Sequence, residues 1–263
     1  FNFWPGLLLC FLLFCLFASS GYIDNDLLDL ESDRLHPRKR NRPFASGLVP
    51  AWMGVVLAPF LLLISLALAS RVGGNFLYWL MFYFLLTCAY SWGLKRLVLV
   101  DCLTLAVLYT LRVVSGAAAA NLPMSFWLLA FAVFLFLSLA FVKRYAELQV
   151  QQLNGKEKAH GRGYYATDAS MVQIMGITSG YSAVMVLSLY LNSEAVVKLY
   201  RAPEFVWGAV PVMLFWVSWM WMQAHRGEMH DDPLVFAVKD KASLLAGMIF
   251  SVVLFVGTMG LPW

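Results

Sequence analysis

Eight stretches of this chain are apolar for long enough to cross a lipid bilayer, and that feature narrows its folds more than any other. They lie at about 3–24, 48–70, 75–94, 97–120, 124–142, 168–192, 203–224 and 242–262. The bilayer interior offers no water to backbone N–H and C=O groups, so spanning segments are helices or a closed barrel. Barrel strands are about half as long as these runs, which makes the runs helices. Charge agrees: 13% of the 263 residues are charged, against about one-quarter in soluble domains. The expectation is an all-α polytopic membrane protein, a bundle of about eight transmembrane helices. No internal repeat or low-complexity segment divides it, so residues 1–263 read as one domain.

Basic residues orient the bundle. The odd-numbered connections hold Arg34, Arg38, Lys39, Arg40, Arg42, Lys95, Arg96, Lys143, Arg144, Lys156, Lys158, Arg162, Arg226, Lys239 and Lys241, leaving Arg71, Arg112, Lys198 and Arg201 elsewhere. The positive-inside rule then puts the odd connections in the cytoplasm and both ends of the chain outside. The chain starts at Phe1 with no basic n-region and no cleavage-site pattern, so an outside start implies a further helix upstream. Cys10, Cys15, Cys88 and Cys102 sit in apolar runs without metal-ligand spacing and read as small apolar fillers.

Charge is most concentrated at 25–47, NDLLDLESDRLHPRKRNRPFASG. If the preceding helix continues, Asn25, Asp29 and Asp33 stack one turn apart with Asp26 beside them. Arg38, Lys39, Arg40 and Arg42 follow at once. A ladder of oxygen ligands backed by cations suits a hard divalent cation holding a phosphorylated substrate. The plainer alternative is a solvated loop whose charges pair with one another.

Other polar residues stand out against the apolar background. Asp101 and Arg112 lie eleven residues apart in the fourth span, near one helical azimuth, with Tyr109 one turn before Arg112. An arginine at that depth must face a polar interior, so the two either line a cavity open to the cytoplasmic face or form structural ion pairs. The third cytoplasmic connection opens with Lys143, Arg144, Tyr145 and Glu147 and closes with Arg162, Tyr164 and Tyr165; it reads as a lid or as an ordinary basic loop. The last one carries Asp231, Asp232 and Asp240, candidate ligands or surface-turn residues. No phosphate-cradling Gly loop, Ser-His-Asp arrangement or nucleic-acid-binding pattern is present, since topology and an anionic substrate account for the basic residues.

The aspartate-rich stretch Asn25-Asp26-Leu-Leu-Asp29-Leu-Glu-Ser-Asp33 resembles the first such motif of the UbiA-type intramembrane prenyltransferases. The match narrows with Arg34 to Gly47, with Tyr90-Ser-Trp-Gly-Leu-Lys95, Tyr109-Thr-Leu-Arg112 and Lys143-Arg144-Tyr145-Ala146-Glu147-Leu148. These resemble the decaprenyl-phosphate phosphoribosyltransferase branch, strongly to about residue 150 and weakly beyond. The resemblance implies a bundle normally of nine helices around a central cavity open to the cytoplasmic face. It also implies a bacterial cytoplasmic membrane and a role in cell-envelope precursor synthesis. Where the usual prenyltransferases carry a second aspartate-rich motif, this chain has Lys143, Arg144 and Glu147.

The chemistry implied is Mg²⁺-dependent transfer of phosphoribose from 5-phosphoribosyl 1-diphosphate to a long polyprenyl phosphate. Asp26, Asp29 and Asp33, with Asn25, would hold the metal-bound diphosphate, some through water because Mg²⁺ keeps much of its hydration. Arg38, Lys39, Arg40, Arg42 and Lys95 would neutralise the departing diphosphate. Tyr90, Tyr109 and Arg112 would shape a deeper pocket, Lys143 and Arg144 would hold either the ribose 5-phosphate or the acceptor phosphate, and Asp101, Tyr145 and Glu147 complete the substrate-binding candidates. A homo-oligomer is compatible with the sequence. Two other readings compete: a prenyltransferase acting on an aromatic acceptor, and a transporter or assembly subunit with no chemistry.

Overall fold

The structure, a computed structural model, describes residues 3–35, 39–72, 74–120, 122–155, 163–198, 200–229 and 232–260. Twelve helices follow in order: α1 (Phe3–Leu28), α2 (Leu30–Leu35), α3 (Ala51–Val72), α4 (Gly74–Trp92), α5 (Val100–Ala119), α6 (Phe126–Leu153), α7 (Ala169–Leu191), α8 (Glu194–Val197), α9 (Pro203–Val206), α10 (Ala209–His225), α11 (Pro233–Lys239) and α12 (Lys241–Met259). Each of the eight apolar runs is a long helix. Seven segments among the described residues are long and apolar enough to cross a membrane. The exception is α4, whose Tyr78, Trp79, Tyr83, Tyr90 and Trp92 lower its hydropathy without making it polar in bulk.

Packing separates two compact units within the chain: Phe1–Trp92 with Leu111–Pro123, and Gly93–Thr110 with Met124–Trp263. In the first, α1 lies on α3 through small residues and hydroxyls. The Ser20 hydroxyl donates to the Ala58 carbonyl at 2.8 Å and the Ser65 hydroxyl to the Leu13 carbonyl at 3.2 Å. All four residues are buried. Lipid tails are as apolar as leucine, so such close, hydrogen-bonded contacts rather than hydrophobicity select the partner helix. Aromatic edges fix α4 on α1, with Phe14 against Phe76 and Phe17 against Phe84 and Tyr83.

In the second unit α6 and α7 approach closely along Gly176-Ile-Thr-Ser-Gly180, a G-x-x-x-G pattern of small residues. A Cβ on Gly176 would come within 2.2 Å of the Trp221 ring and 2.7 Å of Phe141, and one on Gly180 within 2.6 Å of Val217. The Ser138 hydroxyl donates to the Gly176 carbonyl at 2.7 Å and accepts from the Trp221 indole at 3.0 Å. This knot fixes α6, and with it every charged side chain at its polar end.

Candidate functional site

Each unit carries carboxylates paired with cations among its described residues. In the first unit the ladder keeps its helical register through the break at Asp29: the Asp29 N–H donates to Asn25 O at 2.9 Å and the Asp33 N–H to Asp29 O at 2.8 Å. The Asn25 amide reaches the Asp29 carboxylate at 3.4 Å. One nitrogen of Arg42, Nη1, stands 2.7 Å from Asp26 Oδ1 and 2.7 Å from Asp33 Oδ2. Two carboxylates from different turns therefore converge on a single point already occupied by positive charge. The Asp33 side chain is 2% exposed and that of Arg42 is 35% exposed, so the cluster has a closed floor and an open rim.

Among the described residues no three His, Cys, Asp or Glu side chains group tightly enough to make a complete metal centre. Two convergent carboxylates with an amide nearby nevertheless fit Mg²⁺, which takes one or two carboxylates and completes its octahedron with water and phosphate. Arg42 marks where a cation is stable. Arg40 is exposed beside it, in the short 3₁₀ turn Lys39–Asn41, and Arg38 lies outside the described residues. Tyr90 lies in the last turn of α4, half-buried. Arg112 donates to the Tyr83 hydroxyl at 2.8 Å and stands over its ring, 5.5 Å from the centroid.

The second unit holds a closed network. Asp101 and Arg144 are 0% and 1% exposed, with Arg144 Nη2 at 2.6 Å from Asp101 Oδ2. The Tyr164 hydroxyl donates to Asp101 Oδ1 at 2.7 Å and accepts the Leu99 N–H at 2.8 Å. The Cys102 N–H also donates to Asp101 Oδ1, at 2.7 Å. Arg144 lies over the Tyr164 ring at 5.4 Å, and its other arm pairs with Glu147. Burial, reinforced by the Cys102 thiol and the bond to Asp101, pushes the Tyr164 phenol well above its ordinary range, so it stays a proton donor at any working pH.

Asp101 and Arg112, expected to line one cavity, and Arg144, expected to hold a phosphate, each have a protein partner. Asp101 and Arg144 are spent on each other in the interior, while Arg112 is engaged by Tyr83. The network also shapes the turn before α5. Leu99 has a positive φ of 65°, unusual for a branched residue, and its N–H is held by Tyr164. Gly163 packs under the same turn, where a Cβ would meet the Arg96 carbonyl at 2.8 Å. Lys95 sits in the 3₁₀ turn Leu94–Arg96, half-buried.

Successive helical residues are about 100° apart, and the Lys143-Arg144-Tyr145 run diverges accordingly. Arg144 goes inward. Tyr145 is buried toward α10, its hydroxyl 3.1 Å from His225 Nδ1 and accepting from the Gln149 amide at 2.8 Å. Lys143 alone of the three faces a small open cleft of about 20 Å³, lined by Leu105, Tyr109, Phe136, Leu139, Ala140, Asp232, Pro233 and Leu234. Its ammonium is 2.8 Å from Asp232 Oδ2. Tyr109 stacks on Phe136 with centroids 5.3 Å apart. Asp232 was only a candidate in the sequence; its partner lies 89 residues away, a distance no local pattern encodes. Lys156, Lys158, Arg162 and Asp231 lie outside the described residues.

The UbiA prenyltransferase family matches residues 1–245. The chain is similar to the uncharacterized protein y4nM of Sinorhizobium fredii, 36% identical over 92% of this chain and 47% of that protein. It is similar to nodulation protein NoeC of Azorhizobium caulinodans, 38% identical over 90% of this chain and 77% of that one. Decaprenyl-phosphate phosphoribosyltransferase of Mycolicibacterium smegmatis is 40% identical over 55% of this chain and 46% of its own length. The chain thus spans about half the length of the first and third of these relatives. A solved UbiA homologue from Archaeoglobus fulgidus, bound to GPP and Mg²⁺, superimposes with a TM-score of 0.70 at 14% identity, covering 96% of this chain and 86% of that one. That likeness establishes the fold.

Proposed function

Because the chain belongs to the UbiA prenyltransferase family, and is a multi-pass membrane transferase, we propose that it moves 5-phosphoribose from 5-phosphoribosyl 1-diphosphate to a long-chain polyprenyl phosphate. The observation that carries this reading is Lys143, a cation at the polar end of an otherwise largely apolar cleft. A lipid acceptor with an anionic head matches that pairing, whereas a neutral aromatic acceptor needs no cation. The similarity to the mycobacterial phosphoribosyltransferase supports the same choice.

Asp26, Asp29 and Asp33, with Asn25, would hold Mg²⁺ and through it the donor diphosphate. Bound there, the metal would supply charge neutralisation for the diphosphate as it leaves. Lys39, Arg40, Arg42 and Lys95 would add fixed positive charge for the same purpose. An acceptor phosphate oxygen forms the new bond to the ribose anomeric carbon as the bond to the diphosphate oxygen breaks, the electron pair leaving with diphosphate. The acceptor is already anionic, so no general base is assigned. Asp101, Arg144 and Tyr164 act as positioning residues. The excess of Lys and Arg in the odd connections supports an active site facing the cytoplasm.

The test uses full-length protein in liposomes with labelled phosphoribosyl diphosphate and polyprenyl phosphate. Label should move into the lipid fraction only with Mg²⁺ present. No lipid-linked label, with transfer from a prenyl diphosphate to an aromatic acceptor instead, overturns the proposal.

A further inference from the structure

We infer that Asp232 attenuates the affinity of the acceptor site: it holds Lys143 as an internal counter-ion that an anionic lipid head must displace. The inference rests on the phosphoribosyl-transfer reading and goes beyond it by naming where the acceptor head binds and what competes for that place. Lys143 and Asp232 are 37% and 28% exposed, so their ion pair is accessible rather than sealed. The pair stands on a cleft whose other walls include Leu105, Phe136, Leu139 and Leu234. A cation with apolar walls on the same cleft is complementary to a phosphate monoester on a hydrocarbon chain. A free sugar phosphate would gain nothing from those walls.

Asp232 is fixed by its second oxygen, which accepts the Leu234 N–H at 3.1 Å as the N-cap of α11. It therefore keeps its place when Lys143 is taken by an incoming phosphate. A neutral lipid gains no ionic contact from entering, while an anion exchanges one partner of Lys143 for another. The carboxylate thus lowers the affinity for an anionic head, which must displace it from Lys143 and lie beside it, and leaves a neutral lipid, which makes no contact with the ammonium, unaffected.

Asp232→Asn isolates the charge, because asparagine caps a helix about as well as aspartate. In full-length protein reconstituted in liposomes, the variant should lower KM for polyprenyl phosphate roughly two- to fivefold, the scale of a partly exposed ion pair. KM for phosphoribosyl diphosphate should not move. Lys143→Gln should raise acceptor KM, and in that background Asp232→Asn should have no further effect. A purely structural role predicts instead a lower melting temperature with both KM values shifted together, and would overturn the inference. So would a shift confined to the donor KM, which would give Lys143 to the ribose 5-phosphate while leaving phosphoribosyl transfer intact. Loss of the transfer reaction in the unsubstituted protein is a separate result and counts against the function itself. Should Asp232→Asn not fold, Asp232→Ser, which keeps a capping oxygen without the charge, gives the same decision through binding of a short-chain polyprenyl phosphate and of the corresponding neutral polyprenol. The inference requires tighter binding of the phosphate and unchanged binding of the alcohol, and equal effects on both would sink it.

Discussion

Asp26, Asp33 and Arg42 in one unit and Asp101 with Arg144 in the other are chemically alike, each a set of carboxylates against a guanidinium. They differ in access. Arg42 keeps about a third of its side chain exposed, so incoming ligands can exchange with it. Arg144 is 1% exposed, stacked on Tyr164 and held at two arms, so nothing exchanges with it short of unfolding. On the function proposed above the open pair binds and the closed one supports, and what separates them is the exposure of the guanidinium.

The comparison can be broken most severely at the closed pair. Arg144→Met leaves Asp101 buried without its cation and should cost about 3–5 kcal/mol, seen as a collapse of the thermal melt in detergent. The double variant Asp101→Leu, Arg144→Met should recover much of that loss, because an apolar pair replaces a desolvated ionic one. At the open cluster the effect should fall on rate instead. Asp33→Asn should slow transfer about a hundredfold or more while the melting temperature barely moves. A melt shifted as far as in Arg144→Met would erase the distinction between the two clusters.

A finer test sits on Arg42. If it occupies a cation position, Arg42→Gln should tighten Mg²⁺ binding roughly two- to fivefold in calorimetry without donor. Weaker binding would make Arg42 a support for the aspartates rather than a stand-in. The smallest effect is expected at Glu194 and Lys198, a one-turn surface pair 3.5 Å apart and almost fully exposed. Glu194→Gln should leave the melt unchanged, setting the baseline for an ion pair screened by water.

The bilayer explains what was legible in advance. Span length is dictated by membrane thickness, so all eight long helices could be read from apolar runs, α4 included. The Asn25–Asp29–Asp33 ladder was legible because helical period is a local property, and its register survives the break at Asp29. Asp101 and Arg144 are 43 residues apart, and nothing local announces their pairing. The resemblance gave Lys143 and Arg144 one task, holding a phosphate, with Tyr145 beside them as a substrate-binding candidate. On a helix adjacency means divergence, and they face three different environments. Gly176 and Gly180 were readable as a close-packing signal, yet their task of admitting the Trp221 ring depends on a helix forty residues on.

The closed pair also bears on the order in which the membrane segments are made. α5 emerges from the ribosome carrying Asp101 while Arg144 and Tyr164, its partners, are still unsynthesised. A lone carboxylate in a membrane segment is costly. Arg112, later in the same helix, meets no such delay, since Tyr83 already lies in the preceding long helix. The start of α5 is therefore expected to remain near the translocon until α6 delivers Arg144, so the two helices leave for the lipid as a pair.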